Sequence, residues 1–100
     1  MLAEFSVFSL DQTHMSKDVA RAVEALEEAG VEYRLGPMGT SVEGDWEQVM
    51  GAIKACHHAV AGKHARVITT ITIDDRKHGE HHLDEMIQSV ERSLGHAAKH

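Results

Sequence analysis

The carboxylate with the clearest chemical potential lies in the stretch YRLGPMGTSVEGDWEQVM, residues 33–50, which also holds the chain's only proline and only tryptophan. Glu43 sits in an alternating pattern that predicts a strand. A carboxylate on a sheet can accept charge-assisted hydrogen bonds from a cationic or amino-bearing ligand. Asp45 and Trp46 follow, where a helix is predicted to begin. Two interpretations stay open: a ligand site on the open face of a sheet, or a plain hairpin followed by a helix cap and a core tryptophan.

The nine histidines raise the question of a metal site. Two clusters are present: His78, Glu80, His81 and His82 form the first, and Cys56, His57 and His58 the second. A zinc site needs three or four converging ligands, and adjacent residues of a helix point about 100° apart. The second cluster therefore does not easily face one ion, while the first lies in a predicted loop and could bind a metal adventitiously; we expect no specific metal site.

Catalytic chemistry has little support in the sequence. Asp74 and Asp75 are adjacent, so their carboxylates point to opposite sides if the strand before them continues that far. No nucleophile–base pair, phosphate-binding loop or metal motif stands out. We expect that the protein is not an enzyme.

Charge and composition narrow the partners. Ten Lys and Arg against sixteen Asp and Glu give a net charge of -6, which repels a phosphate backbone, so nucleic acid is not expected. No apolar run approaches the roughly 18 residues of a membrane span, and the N-terminus lacks the basic leader of a signal peptide. The single cysteine, Cys56, fits a reducing compartment. We expect a cytoplasmic protein with a single domain over residues 1–100 and a core over about 3–94.

The elements that must position these side chains follow from hydrophobic periodicity. Strands are predicted at 3–10, 31–35, 40–44 and 65–73, and helices at 16–29, 46–61 and 83–94. Gly30 is placed to stop the first helix, and Asp45 with Gln48 forms a capping-box pattern at the second. The order predicts an α+β fold: a ferredoxin-like βαββαβ antiparallel sheet with an extra C-terminal helix.

Such a sheet has one face covered by helices and one face open. Alternation predicts Val31, Tyr33, Leu35, Thr40 and Val42 on the helix side. The predicted open-face residues are Ser6, Phe8, Arg34, Ser41, Glu43, Arg66, Ile68, Thr70 and Thr72. This mixture of apolar and charged side chains is typical of a surface that meets a partner subunit, a ligand or both.

The stretch at 33–50, together with the later RVITTITIDDR, resembles the small thiamine-binding protein family. Members of that family carry Y-x-L-x-P-M-G-T-x-[IV]-E-G-[DE]-W and a later I-K-I-D-D-R segment, and the resemblance runs from residue 3 to about 94. It implies homodimers or homotetramers built through the sheets. It also implies binding of thiamine or its hydroxymethylpyrimidine moiety without a further cofactor.

On this resemblance, a ligand would lie on the open face near a subunit interface. The candidate contacts are Glu43, Ser41, Ser6, Thr70, Arg34 and Trp46. Glu43 would meet the amino group and ring nitrogens of the pyrimidine or the positive thiazolium, although an ion pair with Arg34 is its alternative role. Trp46 is expected in the core, with the pocket wall as its alternative. A second functional hypothesis is an oligomeric interaction or regulatory domain that has no thiamine ligand.

Overall fold

The computed structural model describes residues 1–10, 16–77 and 85–99. Its elements are β1 (Leu2–Ser9), α1 (Ser16–Ala29), β2 (Glu32–Leu35), β3 (Thr40–Glu43), α2 (Trp46–Ala61), β4 (Val67–Asp74) and α3 (Glu85–Leu94). The strands form one antiparallel sheet in the order β2-β3-β1-β4. The predicted ferredoxin-like plan with an extra C-terminal helix is confirmed.

Local signals set the helix ends. Gly30 adopts a φ of 72° and its N–H donates to the Leu26 carbonyl at 3.1 Å, so the predicted glycine stop of α1 is confirmed. At α2 the Asp45 side chain accepts from the Gln48 N–H at 2.8 Å, and the Gln48 side chain accepts from the Asp45 N–H at 3.0 Å. This reciprocal pair is the predicted capping box.

The core lies between α1, α2 and the centre of the sheet. Its fully or nearly fully buried members are Ala3, Phe5, Leu26, Val42, Val49, Ala52, Ile53 and Cys56. Those on β1 occur at alternate positions, and those on α2 recur at helical spacing, as the periodicity predicts. The sheet therefore keeps its opposite face clear of both helices.

Two apolar residues depart from the sequence expectation. Trp46, the first residue of α2, is 51% exposed, so the prediction that its ring belongs to the core is wrong. The apolar stripe of α2 becomes buried only at Val49, one turn further along. Leu35 points to the helix side but is 55% exposed, because it lies at the edge of the sheet.

Candidate functional site

The open face of the sheet is organised in cross-strand rows. The register places Glu32, Glu43, Leu2 and Asp74 in the first row and Arg34, Ser41, Glu4 and Thr72 in the second. Ser6 with Thr70, and Phe8 with Ile68, follow along β1 and β4. The predicted open-face residues that lie within the four strands share this face. The same alternation puts Glu4 and Glu32 on this face, and they add two further carboxylates.

The six candidate contacts do not all meet at one point. Ser6 and Thr70 are joined by a hydroxyl–hydroxyl hydrogen bond of 2.8 Å. Arg34 lies directly opposite Ser41. Glu43, two residues further along β3, is therefore its diagonal neighbour. Since Leu2 is the partner of Glu43, Ser6 lies four residues, or roughly 13 Å, further along β1. One small ring cannot contact both Glu43 and the Ser6–Thr70 pair.

Trp46 belongs to the Glu43 end of the sheet. It begins α2 three residues after Glu43, beyond the cap formed by Asp45. Its exposed indole lies at the end of β3, away from the β2–β3 turn at the other end of the hairpin. The candidate contacts thus divide into one group around Glu43, Ser41 and Arg34 and another at Ser6 and Thr70.

A concave site that the sequence did not predict lies on the helix side, beside the β2–β3 turn. It is a cleft of about 140 Å³ between β1, the start of α1 and the turn. The lining residues are Phe5, Ser6, Val7, Val19, Ala22, Leu35, Gly36, Pro37, Met38, Gly39 and Thr40. The wall is mostly apolar, and six of its members come from the motif stretch at 33–50. The exposed side chain of Met38 lies at its rim.

The shape of the turn explains its two glycines. The Gly36 N–H donates to the Gly39 carbonyl at 2.9 Å, which closes the turn. A Cβ at Gly36 would lie 2.9 Å from that same carbonyl oxygen, and a Cβ at Gly39 would lie 3.0 Å from the Phe5 carbonyl. Glycine is needed here for close backbone approach, and the turn is thereby held against β1 at the mouth of the cleft.

A buried polar cluster supports the other side of the cleft. The Asp18 carboxylate accepts from the Ser9 hydroxyl at 3.2 Å and from Arg21 at 2.9 Å, and its Oδ1 lies 2.7 Å from His64 Nε2. The side chains of Asp18 and His64 are 2% and 1% exposed. Burial by itself raises the pKa of Asp18, but the contacts with His64, Ser9 and Arg21 outweigh it and lower the pKa below its usual value.

This cluster ties three distant segments together. Ser9 ends β1, Asp18 lies in the first turn of α1, and His64 follows α2. Val19, the residue after Asp18, lines the cleft. One sequence signal pointed to the cluster: Ser9 is in phase with the buried residues Ala3 and Phe5 on β1, which makes it a polar group on the core face.

Two reactive side chains among the described residues, His64 and Cys56, are held in buried contacts. In the buried cluster the carboxylate of Asp18 stands between Ser9 and His64, so the imidazole is not placed to activate the hydroxyl. Cys56 is buried and its thiol donates to the Ala22 carbonyl at 3.2 Å. Burial raises the pKa of this thiol to about 11.

The metal expectation is tested only in part. Over residues 1–10, 16–77 and 85–99, no group of three or more His, Cys, Asp or Glu side chains could hold a metal ion. His57 instead bonds Thr69 Oγ1 through Nδ1 at 2.6 Å. His78, His81 and His82 lie outside the described residues. In the same described portion no helix is long and apolar enough to cross a membrane.

Comparison with known proteins identifies one family and several similar sequences. Residues 3–91 match the sequence model of a protein family described as thiamine-binding protein. A UPF0045 protein of Methanothermobacter thermautotrophicus is 41% identical over 97 residues, which cover 92% of this chain and 97% of that protein. The UPF0045 protein YqgV of Bacillus subtilis is 38% identical over 80 residues, covering 77% and 76% of the two chains.

Solved structures share the fold. A hypothetical protein of Methanocaldococcus jannaschii superposes with a TM-score of 0.83 at 29% identity, covering 89% of this chain and 93% of that one. A Thermotoga maritima protein, named for a suspected role in thiamine biosynthesis or salvage, gives a TM-score of 0.77 at 22% identity over 89% and 96% of the chains. The latter likeness concerns the fold alone.

Proposed function

Because the chain belongs to the thiamine-binding protein family, we propose that it binds thiamine or its pyrimidine moiety without catalysing a reaction. The observation that supports this most directly is the apolar cleft of about 140 Å³ formed in part by the motif's own turn. A cavity of roughly 150 Å³ in another protein accommodates benzene. The cleft therefore has room for one six-membered ring and too little for both rings of thiamine.

In this proposal the pyrimidine ring enters the cleft and the rest of the ligand extends outward past the turn. The side chains of Val19, Ala22 and Leu35 cover the ring, and Thr40 supplies a hydroxyl beside the backbone of the turn. A mostly apolar cleft with a few polar groups is the usual form of a small-molecule site, in which burial gives affinity and the polar groups fix orientation. The Asp18 cluster keeps the start of α1, and so Val19, in place.

The open face around Glu43 is the competing placement. Glu43 and Ser41 lie on β3 with Arg34 opposite, and three further acids, Glu4, Glu32 and Asp74, share the face. This negative surface suits the positive thiazolium of thiamine. The neutral pyrimidine gains less from such a surface than thiamine does.

Calorimetry with thiamine and with hydroxymethylpyrimidine tests both placements. Val19→Phe fills the cleft, and we expect it to weaken binding of both ligands at least about tenfold, which corresponds to about 1.4 kcal/mol. Val23→Phe is the matched control, because Val23 is a half-buried valine of the same helix that does not line the cleft. Thermal unfolding of both variants checks that they remain folded.

Glu43→Gln separates the two sites, since it keeps the shape of the side chain and removes its charge. The cleft placement predicts unchanged affinity for this variant. The open-face placement predicts a loss of about 1.5–3 kcal/mol, the scale of a hydrogen bond to a charged group, with folding and assembly retained. Absence of saturable binding by the parent protein would contradict the proposed function and favour an interaction or regulatory domain without this ligand.

A further inference from the structure

Met38 is the residue of the β2–β3 turn whose side chain the fold does not explain. It is 88% exposed, the largest value among the exposed large apolar side chains of the described residues. Gly36 and Gly39 serve the close backbone approach of the turn, and Pro37 suits its second position. A side chain as exposed as Met38 buries little apolar surface, so it contributes little to folding.

The backbone that carries Met38 is fixed at the mouth of the cleft. Gly36 N–H donates to the Gly39 carbonyl at 2.9 Å, and a Cβ at Gly39 would lie 3.0 Å from the Phe5 carbonyl, so the turn lies tightly against β1. The methionine side chain has three rotatable bonds and can adapt its shape to a neighbour. Met38 is therefore an adaptable apolar group on a fixed support.

The chemistry of the side chain suits an aromatic ligand. Met38 forms part of the wall of the cleft, so a ring that enters the cleft lies beside it. A thioether sulfur makes favourable contacts with aromatic rings at about 5 Å. The same sulfur can be oxidised to a sulfoxide, which turns a flexible apolar side chain into a polar one.

We propose that Met38 covers the ring of the bound ligand and is a modification site, at which oxidation by a peroxide lowers the affinity of the cleft. This inference rests on the proposed function. In the step with hydrogen peroxide, a lone pair of Sδ attacks one oxygen and the O–O bond breaks. The proton of the transferred hydroxyl passes to the departing hydroxide, which leaves as water. The sulfur is oxidised by two electrons, and the peroxide is reduced.

Exposure favours Met38 over other sulfur atoms of the described residues. Oxidation of a methionine or a cysteine follows the exposure of its sulfur. Met50 is half-buried, and Met86 on α3 is 65% exposed and lies outside the cleft. Cys56 is buried, and burial raises the pKa of its thiol to about 11, so little reactive thiolate forms.

Calorimetry before and after treatment with hydrogen peroxide tests the effect on binding, with the sulfoxide located by tandem mass spectrometry. Oxidised parent protein should bind thiamine and hydroxymethylpyrimidine about threefold to tenfold more weakly, the scale of a lost sulfur–aromatic contact. Methionine sulfoxide reductases specific for the two epimers should restore the affinity. Thermal unfolding checks that the oxidised protein remains folded.

Met38→Leu and Met86→Leu form the matched pair of variants. Met38→Leu keeps an apolar side chain of similar volume and every other methionine, so it should bind thiamine and be insensitive to peroxide. Met86→Leu removes the other strongly exposed methionine among the described residues and should lose affinity on oxidation as the parent does. A Met38→Leu variant as sensitive as the parent would overturn the proposal.

Protection by the ligand gives a second readout that needs no variant. Saturating hydroxymethylpyrimidine should slow the oxidation of Met38 at least about threefold, because a covered sulfur is less accessible. Met86 should oxidise at the same rate with and without the ligand, and it also reports any consumption of peroxide by the ligand. If Met38→Leu binds too weakly to titrate, the protection of Met38 relative to Met86 decides the question.

The outcomes separate this inference from the proposed function. Unchanged affinity once Met38 is a sulfoxide, or equal protection of Met38 and Met86, would overturn the role of Met38 and leave ligand binding in place. Absence of saturable binding before oxidation would overturn both.

Discussion

At the scale of single residues, Asp18 is the buried charge on which the region around the cleft depends. Asp18→Asn keeps the shape of the side chain but loses the charged acceptor shared by Ser9, Arg21 and His64. We expect a loss of about 1–3 kcal/mol in the free energy of unfolding at pH 7, measured by urea titration. Arg21→Gln, which removes only the half-exposed partner, should cost less.

The pH dependence of this loss has a definite sign. The pKa of Asp18 is lowered in the folded protein from 3.8, so its stabilising contribution is complete above that value and disappears as the pH falls through the folded value. The stability difference between the parent and Asp18→Asn should therefore hold from pH 7 to about pH 4 and narrow as the pH falls from there toward pH 3. A difference that stays constant over this range would show that the carboxylate charge is not the stabilising feature.

Trp46 illustrates how far a residue's environment can depart from its pattern. A tryptophan at the start of an apolar stripe predicts a core ring, whose truncation would cost about 3–5 kcal/mol. With the side chain 51% exposed, we expect Trp46→Ala to cost about 1 kcal/mol in thermal or urea unfolding. Ile53 lies on the same helix and is 2% exposed, so Ile53→Ala is the control. It should lower the free energy of unfolding by about 2–5 kcal/mol.

At the scale of elements, the start of α2 is fixed by one capping side chain. Asp45→Ala removes the acceptor for the Gln48 N–H and should cost about 0.5–2 kcal/mol of stability. Asp45→Asn keeps a capping oxygen and should therefore retain most of the stability that Asp45→Ala loses. Equal losses in the two variants, measured by urea unfolding, would show that the charge and not the cap is responsible.

The elements were predictable because each is encoded locally. Alternation in TSVE and the β-branched run of β4 specify strands, while Gly30 and Asp45 specify helix ends within a few residues of themselves. The cleft was not predictable, since it depends on the distance between α1 and the β2–β3 turn. The contact of Ser9, Asp18 and His64 likewise joins three segments that only tertiary packing brings together.

At the scale of the whole molecule, the cleft and the candidate contacts around Glu43 lie on different faces of the sheet. Every residue lining the cleft belongs to one protomer, and the cleft lies beside the β2–β3 turn, on the opposite side of the sheet order from β4. If copies of the chain associate, dilution below the concentration of association should therefore leave the affinity for thiamine within about threefold, or roughly 0.6 kcal/mol, by calorimetry. A ligand held on the open face between two subunits, near Ser6 and Thr70, would instead lose affinity on dilution, and that result would move the site from the cleft to an interface.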